Sequence, residues 1–174
     1  LRSLSLGYCR LGSAGVIDIA KALFFNSSLE QLSLRGNQFD VEAASALGSV
    51  LAMGANSLSH LHLGSCHLPD DAGVALAGGL AMNTRLEVLN LRDNCLHDAS
   101  GRAFNSSLRG NTGLTQLSLE LNGIDLRCLA QIKKQLHRNE RIREGTRPQT
   151  YRKRIDELLE YQREVEVLEA TIRK

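Results

Sequence analysis

Leucines return along this chain at a fixed interval. Segments beginning at Leu1, Leu29, Leu58, Leu86 and Leu114 read LRSLSLGYCRL, LEQLSLRGNQF, LSHLHLGSCHL, LEVLNLRDNCL and LTQLSLELNGI. Their shared pattern, LxxLxLxx(N/C)x(L/F/I), repeats every 28 residues with one step of 29. Five matches at one spacing define an internal repeat, and a repeat of this length specifies stacked coils of chain. The LxxLxL stretch predicts a short strand. Leu32 and Leu34 point to one side, and Gln31, Ser33 and Arg35 to the other. At the ninth position Asn37, Asn94 and Asn122 can bond backbone groups of the turn that leaves the strand. Cys9 and Cys66 replace that Asn with a weaker donor.

A helix is predicted after each strand. Ile19 and Leu23, Leu47 and Leu51, Leu76 and Leu80, Phe104 and Leu108, and Ile132 and Leu136 are i, i+4 pairs suited to a buried face. The helices are predicted to stop at Asn26, Gly54, Asn83, Asn111 and Asn139, residue types that tolerate the left-handed backbone of helix ends. Strands stack about 4.8 Å apart and helices about 10 Å, so such an array curves with its strands inside.

Over residues 1–139 the pattern resembles leucine-rich repeats, and the 28/29-residue length resembles their ribonuclease-inhibitor-like subclass. The resemblance implies an α/β fold: a leucine-rich-repeat solenoid with parallel strands inside and helices outside, then a C-terminal amphipathic or coiled-coil helix. Each coil buries its apolar face only against its neighbours.

Beyond Asn139 the pattern fades. Ile142 stands where a sixth leucine would begin, but no second or third follows. Residues 140–150 are expected to form a cap remnant and linker, with Gly145 and Pro148 stopping regular structure. Residues 151–174 read as one helix of about 36 Å. Tyr151, Leu158, Val165 and Ile172 fall seven apart, and Tyr161 and Leu168 fill the position three later, with Arg154 breaking that second series. Two readings stay open: a helix capping the last repeat, or a heptad helix that associates with a coiled-coil partner.

The net charge of +2 hides an uneven distribution. Residues 133–154 hold nine Lys or Arg against two Glu, so the excess concentrates in the last repeat helix and the linker. The basic hinge comprises Arg143, Arg147, Arg152, Lys153 and Arg154. It is either a solvated hinge or a dock for an acidic surface such as tubulin tails. Nucleic acid is the weaker expectation, because only Tyr151 interleaves an aromatic ring with these cations.

Aromatic residues make up 4% of the chain, with no Trp. A core of Leu, Ile, Val and Ala suits repeated thin layers. No window approaches eighteen apolar residues, so no membrane span is expected. The chain starts at Leu1 in mid-pattern and is read as part of something longer. None of its four cysteines forms a CxxC pair. Cys9 and Cys66 are expected to be buried, reduced filler, which implies a reducing compartment.

On this fold the concave strand face is the expected binding surface. Its outward residues include Gln31, Ser33, Arg35, His60, His62, Asn90, Arg92, Gln116 and Glu120. Arg35 and Arg92 are the expected anchors for a carboxylate, whereas aromatic anchors typical of interface hot spots are missing from the column. His60 and His62 point the same way with His67 beyond the turn, but no further ligand is fixed nearby for a metal. A Ser–His–Asp set drawn through His62 and Asp93 lacks a nucleophile turn. The glycines are assigned to turns and helix ends, none to a phosphate loop. No catalysis and no cofactor are expected.

Repeats running into a heptad helix are similar to leucine-rich-repeat proteins of cilia, axonemes and centrosomes. That resemblance implies a cytoplasmic, cytoskeletal scaffold that binds other proteins of a large complex. Alternatives are a regulator of the Ran GTPase, the repeat domain of an innate-immune sensor, and an actin pointed-end cap of the tropomodulin kind.

Overall fold

The structure is a computed structural model that describes residues 1–54 and 57–146. The heptad helix and the hinge cations Arg147, Arg152, Lys153 and Arg154 lie outside the described residues.

Strands and helices alternate without exception: β1 (Ser3–Ser5), α1 (Gly12–Phe24), β2 (Gln31–Ser33), α2 (Val41–Met53), β3 (His60–His62), α3 (Asp70–Met82), β4 (Val88–Asn90), α4 (Asp98–Gly110), β5 (Gln116–Ser118) and α5 (Leu126–Thr146). All five strands pair parallel in sequence order, with Leu4, Leu32, Leu61, Leu89 and Leu117 in one register row. Three-residue strands suffice because the ladder continues beyond them. The amides of Tyr8, Gly36, Ser65 and Asp93 each donate to the next coil's carbonyl, at Arg35, Gly64, Arg92 and Glu120, over 2.7–3.0 Å.

The leucines fill the space between sheet and helices. Leu32, Leu34, Leu61, Leu63, Leu89 and Leu91 are fully buried, each contributing about 1.5–3 kcal/mol of transfer free energy. Residues 1–140 form one compact unit. In its first and last coils Ile19 and Leu136 are only partly buried, because among the described residues stacking covers them from one side. Cys66 is buried, and its thiol reaches the carbonyls of Leu34 and Gly64, both at 3.4 Å. Cys9, expected to be buried, is exposed and reaches only Gly7 O, since no coil among the described residues stacks before it. Burial raises the Cys66 thiol pKa, so it stays protonated.

The position-nine asparagines bridge coils as well as turns. Asn94 Oδ1 accepts the amides of Cys66 and Leu68 at 3.0 Å, while its Nδ2 donates to Leu63 O and Leu91 O at 2.9 Å. Asn37 links Leu11 N, Leu6 O and Leu34 O in the same manner, and Asn122 links Leu96 N, Leu91 O and Leu119 O.

Three expectations require correction. Among the helix-end residues only Gly54 is left-handed, at φ 61°; Asn83 and Asn111 are extended. These asparagines act through their side chains. Asn83 joins Leu51 O to the amides of Arg85 and Leu86, and Asn111 joins Leu80 O and Asn83 O to Gly113 and Leu114. Secondly, α5 continues through Asn139 and Gly145 to Thr146, so regular structure runs well past the predicted stop. Asn139 still donates to Asn111 O and Leu114 O from within the helix. Thirdly, some glycines serve helix packing. A Cβ on Gly48 would lie 2.7 Å from Ala75 O, and one on Gly79 would lie 2.7 Å from the carbonyl carbon of Gly48. Bare backbone is what lets α2 and α3 approach so closely.

Candidate protein-recognition surface

Period-two alternation puts the outward strand residues on a single face. Gln31, Arg35, Arg92, Gln116 and Glu120 are exposed, and Ser33, His60, His62 and Asn90 are half-buried between their neighbours. Toward the strand exits these side chains border an open trough of about 570 Å³. It is lined by Ser33, Arg35, His62, Gly64, Ser65, Asn90, Arg92, Asp93 and Leu121. Arg35 and Arg92 stand two coils apart, and Gly64 lies between them. A Cβ on Gly64 would come within 3.2 Å of Arg92 O and 3.4 Å of Asn90 Oδ1, so this residue keeps the trough floor low.

The trough carries both signs of charge, with Arg35 and Arg92 on its walls and Asp93 beside them. Neither Arg35 nor Arg92 makes an ion pair among the described residues. Asp93 is held by Ser65 Oγ at 2.9 Å, and Asn90 Oδ1 accepts the Arg92 amide at 3.0 Å. Burial, and then the neighbouring His60, lower the pKa of His62, so the imidazole is neutral at pH 7. His60 itself sits 2.8 Å from Ser59 Oγ. The direct Ser65–Asp93 bond leaves no histidine relaying between serine and carboxylate, which is not the geometry of a catalytic triad. Among the described residues no three His, Cys, Asp or Glu converge to hold a metal ion, and no helix is long and apolar enough to cross a membrane.

The strand column has no aromatic anchor, yet the structure supplies one from the turn. Tyr8 is 65% exposed, and the Arg35 guanidinium lies 5.8 Å from its ring centroid. The eighth residue of every coil turns left-handed or sits at that bend: Tyr8, Gly36, Ser65, Asp93 and Leu121 have φ of 57–70°. This conformation aims their side chains outward along the strand-exit rim and places the amides of the first four against the next coil. Leu121, 64% exposed, closes the far end. The signal available in sequence was Gly36, a glycine in a column otherwise filled by larger residues. Of the hinge cations, Arg143 falls within α5 and is part-buried.

A parallel sheet built of strand–helix coils, each packed only on its neighbours, defines a repeat class of fold. Four segments, 1–20, 25–48, 54–77 and 83–104, match the family model described as Leucine Rich repeat, together just over half the chain. The chain belongs to the leucine-rich repeat family. It is 33% identical over 148 residues to mouse NACHT, LRR and PYD domains-containing protein 12, covering 79% of this chain and 14% of that protein. Chicken leucine-rich repeat-containing protein 45 is 32% identical over 94 residues, covering 54% of this chain and 14% of that one. The chain thus spans about one seventh of the length of these relatives. Among solved structures, the leiomodin-1 actin-binding site 2 superposes with a TM-score of 0.76 at 20% identity, covering 87% of each chain.

Proposed function

We propose that this chain is a non-catalytic recognition scaffold that binds a partner protein through the strand-exit half of its concave face. The observation that carries the proposal is the pair of guanidiniums, Arg35 and Arg92, lining one trough on either side of Gly64 with neither in an ion pair among the described residues. Guanidinium forks without an internal partner favour an external carboxylate, and the two-coil gap leaves room for one.

The assembly we assign to it is cytoskeletal: a cytoplasmic structural component of the axoneme or centrosome kind, with tubulin or a coiled-coil protein as neighbour. The order of repeats, basic segment and heptads supports this reading. The actin-binding leiomodin domain supports a filament-associated role on grounds of fold alone. Co-sedimentation of the chain with microtubules and with actin filaments tests it. Pelleting with microtubules that is lost in the Arg35→Glu/Arg92→Glu variant is the expected result. Pelleting with actin alone moves the assignment to the actin cytoskeleton, and pelleting with neither removes the cytoskeletal role. A second reading, the repeat section of an innate-immune sensor, is favoured by the NACHT, LRR and PYD relatives. A nucleotide-binding module encoded upstream of Leu1 in the same transcript would establish it.

A further inference from the structure

Next to the trough, the rim holds a second depression of about 560 Å³. It lies between the first three coils and is lined by Tyr8, Arg10, Gly12, Gly36, Gln38, Ser65 and His67. Six of these seven residues have positive φ, and four of the six are not glycine. Each non-glycine residue in this conformation is strained, and such strain persists where the surroundings over-determine it. The lining of the depression includes a cation and no carboxylate, although Asp93 accepts from Ser65 Oγ at its edge. Arg10 and His67 contribute nitrogen donors, Arg35 stands over the Tyr8 ring, and no carboxylate lines it. Arg10, like Arg35, has no carboxylate partner among the described residues.

Gly36 explains how the ring is seated. A Cβ on Gly36 would clash with Cδ1 and Cε1 of the Tyr8 ring, so the ring of the first coil lies directly on the backbone of the second. Arg35, one residue before that glycine, is positioned by the ring face. An exposed aromatic and the Arg35 guanidinium over it are thus positioned before any partner arrives, with Arg10 on the same rim. Preorganised groups of this composition are what interface hot spots are made of.

We propose that this depression is a docking subsite for an acidic segment of a partner protein, with a carboxylate against Arg10 and Arg35 and an apolar side chain on the Tyr8 ring. The inference rests on the strand-exit rim being the recognition surface and adds the partner's chemistry. A nucleic acid fits less well. Asp93 and Glu120 succeed Arg92 along the rim, and Glu30 lies at the strand entrance beside Arg2. A long polyanion tracking the coils would meet like charge within a Debye length of about 8–10 Å. A short carboxylate-bearing segment avoids that.

The experiment is a titration of the full 174-residue chain, nitrogen-15 labelled, with the peptide Gly-Glu-Glu-Phe-Glu-Glu-Gly, followed by amide chemical shifts. The expected shifts cluster at Tyr8, Arg10, Gly36 and His67. Affinity should fall at least tenfold in Tyr8→Gly, which keeps the left-handed backbone that Gly36 shows in the same column, and in Arg10→Gln. Met82→Ala alters an exposed residue at the end of α3, in the helix layer, and should leave affinity unchanged. Shifts elsewhere, no shifts, equal binding of the Gln-for-Glu peptide, or tighter binding of an oligothymidylate at these residues each overturn the proposal. Failure here, with partner binding still lost in Arg35→Glu/Arg92→Glu, removes the subsite and leaves the scaffold reading standing.

Discussion

Replacing Asn94 by Ala should cost more stability than any equivalent substitution in the repeat. The side chain occupies the junction of the third and fourth coils and contributes both ends of its amide. Its removal strands two buried N–H groups, on Cys66 and Leu68, both fully shielded from solvent. Leu63 O loses its side-chain donor too, whereas Leu91 O keeps one from Asn122. An orphaned buried donor costs about 1–3 kcal/mol, so two of them with a weakened carbonyl give roughly 3–5 kcal/mol. That is a large share of the roughly 5–15 kcal/mol that holds a typical domain folded. Asn122→Ala strands one amide, Leu96 N, at a part-buried site, and should cost roughly 1–2 kcal/mol. Urea unfolding followed by far-UV circular dichroism measures both. Equal losses below about 1 kcal/mol at the two positions would refute the idea that buried amides of the preceding coil depend on the asparagine.

Three further outcomes follow from the packing and from the charges. Gly79→Ala drives a methyl into the backbone of Gly48 and should destabilise by about 1–3 kcal/mol or more, as overpacked sites do; an unchanged midpoint in urea would show that α2 and α3 can slide apart. Leu121→Gly relieves a non-glycine residue at φ 58° that is 64% exposed. It should raise the melting temperature, by an amount matching roughly 0.5–1 kcal/mol, and a lower one would show that the leucine side chain contributes more than its backbone costs. For Asp70, burial opposes ionisation, but hydrogen bonds from Ser100 Oγ and from the amides of His97, Ser100 and Ala99 outweigh it and hold the carboxyl below its ordinary value. Its stabilising contribution is therefore complete above the unfolded carboxylate pKa of about 4 and is lost as pH falls through the lower folded value. Stability should accordingly fall less steeply with acid in Asp70→Asn than in the parent, and parallel acid curves would remove Asp70 from the account.

The candidate site was partly legible beforehand. Arg35, His62 and Arg92 were placed on one face by alternation alone, because the side-chain period of a strand is a local property. Tyr8 was not. The one sequence signal was Gly36 in its column, and by itself it does not show that the Tyr8 ring reaches across to that glycine and under Arg35, residues of the following coil. The lowered pKa of His62 likewise depends on burial between adjacent strands.

By itself the chain's order of leucines determined the coil length, the alternation of strand and helix, the shared register and which residues face the core. Those features follow from periods of two and 3.6 and from a repeat interval, all readable along a single strand of text. Tertiary structure alone decided which carbonyl each asparagine reaches, where glycine backbones touch, how far α5 extends and where the exposed aromatic stands. Those contacts between coils join residues 25 to 32 positions apart. They exist only when coils stack at one spacing and one angle, and the stacking is set by the whole buried layer.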